Sequence, residues 1–279
     1  MPKPSPECLS LAEAFVPVLG FRPSGRSGDR LGPGVGASLE FEDRRTYAPG
    51  DDVRHVDWRA LARTGDLMVR VHREEVQPRM DVLLDASLSM STEPEKEHLA
   101  TDLAGLFLRA AACAGFEARL IRLGARPIVM SAMEFEQVGV TFDETVQLGD
   151  SLAAARGVLA PGGLWLCISD FLSESGVNLK ALASRRGNAS LLQVLGPWES
   201  DPPVGSSLRL EDCEGRGKRD LLLDASVVSA YRKRLGRLTD GLSDESRRLG
   251  MRYLRLNAGI PLEEAAKNQL IAAGFLEPA

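Results

Sequence analysis

Cysteine is sparse in this 279-residue chain, and its four copies, Cys8, Cys113, Cys167 and Cys213, stand far apart with no C-x-x-C pair. Cys167 lies inside an apolar strand and Cys113 on a helical stretch, so buried free thiols are expected rather than bridges. No basic region followed by a long apolar run opens the chain. No segment reaches the roughly 18 apolar residues that a membrane span needs, so the sequence predicts no membrane span and a cytoplasmic protein. An excess of positive charge is also missing: 34 Lys and Arg face 39 Asp and Glu, for a net charge of −5. That balance argues against broad electrostatic attraction to nucleic acid or acidic lipid. Gly32, Gly34 and Gly36 do not follow a predicted strand or open a helix, and no Lys-Ser/Thr pair follows them, so they make no nucleotide loop. What remains is an ordinary soluble composition, 44% hydrophobic and 26% charged, at a length for one large domain with appendages.

Against that background one stretch organises the chain: Met80 to Met90, MDVLLDASLSM. Met80 to Leu84 is apolar but for Asp81 and reads as a strand buried on both faces, central in a parallel sheet. It ends abruptly at Asp85, and hydroxyls follow at Ser87 and Ser89. These three residues sit where ligands gather in open α/β sheets, beyond a strand's carboxyl end. A hard cation such as Mg²⁺ takes oxygen ligands, and one carboxylate with two hydroxyls supplies half a shell. The spacing Asp-x-Ser-x-Ser resembles the metal-ion-dependent adhesion site of von Willebrand factor A-type domains. The competing reading is a helix cap at Ser89 or Ser91, with Asp85 bonded to loop amides.

Residues 9 to 20 predict a short helix stopped near Pro17, and a Gly-, Ser-, Pro- and Arg-rich loop follows, so 1–38 is expected to be a flexible segment. The stretch from Leu39 to Val76 opens like a strand and turns at Ala48-Pro49-Gly50-Asp51. It is helical from Asp57 to Arg63, turns at Gly65, and continues with Leu67, Val69 and Val71 in alternation. Residues 1–80 hold 12 basic and 12 acidic side chains, unlike the positive excess of a nucleic-acid surface. Interleaved Arg and Asp instead favour fork-shaped pairs that pin a loop-rich segment. Arg45, Tyr47, Asp52, Arg54, Asp57, Trp58 and Arg63 are read as a structural signature. In it Trp58 is buried and Asp52 and Asp57 pair with arginines such as Arg45, Arg54 or Arg63.

Glu40-Phe41, Arg45 with Tyr47, Pro49-Gly50-Asp51-Asp52, Arg54, Asp57-Trp58-Arg59, Ala62-Arg63 and Asp85-x-Ser-x-Ser-Met90 together resemble the domain of unknown function 58 family. The likeness runs from about residue 35 to 279. The resemblance implies a bacterial or archaeal protein of von Willebrand A-like fold, a MoxR-type AAA⁺ ATPase as partner, and no known enzymatic activity. The two membrane helices and small β domain that often precede the family's core are not seen, so the chain resembles a short soluble member. The expected organisation is a family segment at 39–79 packed on the core, then a von Willebrand A-like α/β domain at 80–279.

Leu99, Leu103, Leu106 and Ala110 recur at helical spacing behind Glu93-Pro94-Glu95. Glu117 to Leu123 and Arg126 to Ala132 read as a hairpin around Gly124. A helix from about Gly149 to Leu159 leads to the strand Leu164 to Ser169, which also ends in a carboxylate, Asp170. The adhesion-site resemblance implies such a second Asp, reaching metal through water, and a Thr at the intervening helix start. Here Asp150 or Ser151 stands in the place of that Thr. Further on are a helix at Leu179 to Arg186, a strand at Ser190 to Leu195, and a hairpin of Leu208 to Glu211 with Asp220 to Leu223. A long helix from Ser226 to Leu249, a strand at Met251 to Leu256 and a helix from Pro261 to Ala273 close the chain. The fold class is α/β, a doubly wound, mostly parallel sheet.

The sequence therefore predicts a non-enzymatic protein-interaction domain, with Asp85, Ser87, Ser89, Ser151 and Asp170 around Mg²⁺ or Mn²⁺. Without a cation the close carboxylates would repel, raising a pKa or drawing in a lysine. The alternative is a metal-dependent phosphoryl-transfer enzyme or hydrolase using Asp85 as nucleophile. Such enzymes need a second carboxylate two residues on and a Lys for the phosphate, and position 87 is Ser. A hydrolase triad has no support, since none of His55, His72 and His98 lies at a sheet end beside a Ser.

Overall fold

Met80 to Leu84 becomes the buried middle of a strand, as its apolar residues on both faces require, and the one charge in it, Asp81, is paired with Arg119 at 2.8 Å. The computed structural model describes residues 1–18, 31–35, 41–49, 51, 53–75, 78–159, 161–173, 177–183, 188–205, 207–211 and 218–279. They fall into two units, Met1–Phe21 with Arg79–Ala279, and Arg22–Pro78.

In the larger unit six strands form one sheet: β1 (Arg79–Asp85), β2 (Glu117–Leu123), β3 (Ile128–Ser131), β4 (Leu164–Ser169), β5 (Asn188–Leu195) and β6 (Arg252–Asn257). Their order is β6-β5-β4-β1-β2-β3. Every pair is parallel except β2 with β3, the expected hairpin. The helices that matter here are α1 (Pro94–Cys113), α2 (Ala132–Val138), α3 (Leu148–Ala155), α4 (Pro197–Ser200) and α5 (Ala225–Arg248). Alternate residues of β1 enter separate cores. Met80, Val82 and Leu84 pack with Leu99, Leu103 and Leu106 of α1. Leu83 packs on the other side with Leu148 and Leu152 of α3 and Leu242 of α5. Helices on both faces make the sheet doubly wound. Its chain order reverses between β1 and β4, the switch point where such sheets hold ligands.

Several expectations are corrected. The amino terminus is not flexible over residues 1–18: Pro6–Ala12 is a helix, and Phe15–Pro17 is a strand antiparallel to Leu276–Pro278. Ser5 fastens it, donating from its backbone N–H and hydroxyl to the Asp102 carboxylate at 2.7 and 2.9 Å. The helix expected to run towards Pro17 is cut short because those residues pair with the other end of the chain. At 179–186 only a 3₁₀ turn, Leu179–Ala181, is present among the described residues. The closing helix is a single α turn, Leu262–Glu264, that widens into a π-helix over Ala265–Leu270. α2 was not expected at all. Cys8 and Cys167 are buried, but Cys113 is exposed at the end of α1, and Cys213 lies outside the described residues. Among the described residues no helix is long and apolar enough to cross a membrane.

In the smaller unit Phe41–Thr46 pairs antiparallel with Met68–Glu75, which also pairs with Leu31–Val35. The expected helix spans Trp58–Thr64. Asp57 caps it, accepting from the backbone N–H groups of Arg59 and Ala60 at 3.1 Å each. Gly65 ends it with φ at 80°, a conformation natural to glycine. Asp57 is buried, but Trp58, expected to be buried, is not: 61% of it is exposed. The residue this helix buries is Ala60, and two positions at 3.6 residues per turn put Trp58 about 200° round from it. Arg54 and Arg63 are exposed, Tyr47 is partly buried, and Asp52 lies outside the described residues.

Candidate functional site

β1 delivers Asp85 to the carboxyl edge of the sheet, and the chain turns at once into a 3₁₀ helix, Leu88–Ser91. Asp85 Oδ1 accepts from the Ser87 N–H at 3.0 Å, and the Ser87 and Ser89 hydroxyls lie 3.0 Å apart. Glu144 pins this loop by backbone bonds, donating to Ala86 O and accepting from the Leu88 N–H, both at 3.0 Å. Next door, β4 ends in Ser169 and Asp170. The Ser169 hydroxyl donates to Asp85 Oδ2 at 2.6 Å and accepts from the Phe171 N–H at 3.0 Å. Phe171 is buried and holds φ at 52°, a left-handed conformation that is costly for a bulky residue and tends to cluster at functional sites.

Asp170 is tied on three sides. Its Oδ1 accepts from the Leu172 N–H at 3.0 Å, its carbonyl from Gln193 Nε2 at 2.7 Å, and its Oδ2 from Lys96 Nζ at 3.1 Å. Lys96 has no exposed surface. Its ammonium also donates to Glu199 Oε1 at 2.5 Å. Glu199 sits on α4, just beyond β5, where its Oε2 accepts from the Gly196 N–H at 2.9 Å. Glu93, directly before α1, reaches the same short helix, accepting from the N–H groups of Trp198 and Glu199 at 3.0 and 3.3 Å. A Cβ on Gly196 would stand 2.0 Å from Glu93 Oε1, so glycine is needed for that approach. The Tyr231 hydroxyl of α5 donates to the Glu199 carbonyl at 2.6 Å.

The electrostatics follow from burial and crowding. Burial, then the charge of Asp170, raise the Asp85 carboxyl to about 6, against the hydrogen bonds from Ser169 and Ser87. Burial alone would lower Lys96, but Asp170 and Glu199 outweigh it and hold the ammonium above its usual range. Glu199 moves up as well, because its own burial exceeds the pull of Lys96. The two directions oppose each other for one ion pair. The ammonium between two carboxylates at hydrogen-bond distance decides for the charged pair.

The structure thus brings together Asp85, Ser87, Ser89 and Asp170. Ser151 is buried one turn inside α3, and among the described residues no hydrogen bond joins it to Asp85 or Asp170, while Asp150 is exposed. Thr141 instead serves Arg122, accepting from Nε through its carbonyl at 3.0 Å. Sequence reasoning did not single out Lys96, Glu199, Ser169 or Gln193. Lys96 carried a signal: it precedes Leu99 and Leu103 by three and seven positions, on the face that α1 buries.

Compared with known proteins, the chain is 31% identical over 221 residues to uncharacterized proteins of Mycobacterium tuberculosis and Mycobacterium bovis, which takes in 72% of this chain and 68% of each relative. It is similar to the crystal structure of a conserved hypothetical protein, BatB, from Bacteroides thetaiotaomicron, at 16% identity and a TM-score of 0.39, over 70% of this chain and 98% of that one. An aerotolerance-related membrane protein from Bacteroides fragilis gives 18% identity and a TM-score of 0.41 over the same shares. The model of one family, described as a protein of unknown function, DUF58, matches residues 43–237, the span from the antiparallel strands to α5, and to that family the chain belongs.

Proposed function

We propose that this chain is a non-enzymatic protein-interaction domain of the von Willebrand factor A type that works in the cytoplasm with a MoxR-type AAA⁺ ATPase. The sheet order supports the type, and Asp85-x-Ser-x-Ser beside Asp170 at the switch point supports the place of contact. The partner follows from the family resemblance alone. The observation that carries the reading is the state of Asp85. Each of its oxygens accepts from an internal donor, Ser87 N–H and the Ser169 hydroxyl, and the residue is 5% exposed. A nucleophile in phosphoryl transfer must present a carboxylate oxygen in line with the phosphorus, and this one is turned inward. Ser87 and Ser89, on the same loop, remain partly exposed and are available to a protein surface.

The test is affinity purification of the tagged chain from its native cell, together with turnover of a generic phosphate ester. A MoxR-type ATPase should co-purify, and exchange of Ser87 and Ser89 for bulky residues should weaken its recovery. Turnover that disappears in Asp85→Asn would sink the proposal in favour of an enzyme.

A further inference from the structure

We infer that Lys96 is a built-in cation that holds the place of a divalent metal at this site, so that the Asp85–Asp170 end of the sheet is organised without Mg²⁺ or Mn²⁺. The inference rests on the adhesion-type reading of that end but concerns only the isolated chain.

A divalent metal needs carboxylate and hydroxyl oxygens free to converge on it. Here each carboxylate oxygen already accepts one hydrogen bond, and one of them accepts it from an ammonium. Asp85 Oδ1 and Oδ2 hold Ser87 N–H and the Ser169 hydroxyl, and the Ser87 and Ser89 hydroxyls hold each other. Asp170 Oδ1 holds Leu172 N–H and Oδ2 holds the ammonium. With an ammonium already on Asp170, this set does not fit a divalent ion.

The position of Lys96 is costly unless it answers a charge. It is the third residue of α1, where the helix dipole disfavours a cation, and it is wholly buried, where an unpaired ammonium is not tolerated. Asp170 and Glu199 remove both objections, and in return the ammonium neutralises these two carboxylates, which stand beyond the neighbouring strands β4 and β5. A second, doubly charged ion on Asp170 would stand within a few ångströms of that ammonium and be repelled in a poorly screened interior.

The experiment uses the full chain, freed of metal by a chelator, with MgCl₂ and MnCl₂ titrated to millimolar levels. Melting temperature and the fraction of free Mn²⁺, read by electron paramagnetic resonance, are followed. The wild type should show no shift and no Mn²⁺ uptake. Lys96→Ala empties the place of the ammonium and should gain both, with a rise of a few degrees that vanishes in Lys96→Ala with Asp170→Asn. Should Lys96→Ala fail to fold, Lys96→Met, which keeps most of the buried stem and leaves Asp170 Oδ2 without a donor, takes its place. Uptake of Mn²⁺ by the wild type overturns the inference, as does a folded Lys96 variant that takes up none. Co-purification of an ATPase can succeed or fail with either result unchanged, so the two proposals fail separately.

Discussion

Replacing Lys96 by methionine removes the ammonium while keeping most of the buried stem. Two carboxylates lose their partner, Asp170 with a side chain 5% exposed and Glu199 with one 19% exposed. Breaking a buried pair from one side leaves an uncompensated charge and typically costs ~3–5 kcal/mol. For a chain of this size each kcal/mol moves the melting temperature by ~2–4 °C, so the expected fall is roughly 6–20 °C. The same reasoning says that the loss belongs to the stranded charges and not to the lysine. Lys96→Met with Asp170→Asn and Glu199→Gln should therefore recover most of it, since a buried ion network exchanged for neutral groups is often nearly neutral in stability. Urea unfolding is the assay, with Trp165, buried on β4, as the fluorescence probe for the larger unit and circular dichroism as the second signal. Coincident curves and an unchanged slope license the comparison. A loss below ~1 kcal/mol in Lys96→Met, or a triple variant that loses the sum of its parts, would refute the idea that the lysine is there for the carboxylates.

Asp85 should give the larger unit a pH-dependent stability of an unusual sign. Its folded value of about 6 lies above the ordinary unfolded carboxylate, so the native state binds this proton more tightly and stability falls as pH rises from ~4 to ~6, then levels off. The span of two pH units corresponds to roughly 3 kcal/mol, and Asp85→Asn should flatten that window; identical slopes in both proteins would refute it. In the smaller unit, Asp57→Ala removes a cap with two backbone donors and should cost about 1–2 kcal/mol. Trp58→Ala, on the exposed face of that helix, should stay within ~0.5 kcal/mol. Thermal melts that reverse the order of these two variants would make the tryptophan the structural residue after all.

The parts of the fold that were legible in the sequence are those whose burial is written in one local pattern. β4, and β1 apart from Asp81, are apolar runs because both of their faces are covered, and each run is closed by a carboxylate, Asp170 and Asp85, where the chain leaves the sheet. The hairpin of β2 with β3 and the long helices follow from turn chemistry and period. What was not legible depends on partners far along the chain. Phe15–Pro17 looks like a helix end until Leu276–Pro278 lies beside it. Trp58 reads as core by residue type, yet the short helix that carries it buries the opposite face. α2 did carry a readable start, Ser131 with Glu134 three positions on, and the Ser131 hydroxyl does accept from the Glu134 N–H at 3.1 Å. Of the candidate site, Asp85, Ser87, Ser89 and Asp170 were readable as strand ends. Lys96 was hidden by its neighbours, because a lysine between two glutamates in a first turn looks solvated whatever its helical phase.

The crossing of Glu93 and Lys96 gives this end of the sheet its stiffness. Three residues apart at the start of α1, they bond into the β5 side in two ways: Glu93 to the exposed N–H groups that open α4, Lys96 to the Glu199 carboxylate on the same turn. Lys96 at the same time takes hold of Asp170, beyond β4. Asp85, beyond β1, is joined to that corner through Ser169. Loops from three neighbouring strands are thus fastened to one another by charged groups in a site from which water is largely excluded, where such bonds are strong. A partner that meets Ser87, Ser89 and the half-exposed Trp198 then has little loop entropy left to remove on binding, and pre-organisation of that kind adds affinity without adding area. A site stiffened by its own lysine is also always assembled, so the binding of a partner to it should answer to the partner's concentration and to pH, and not to the supply of metal.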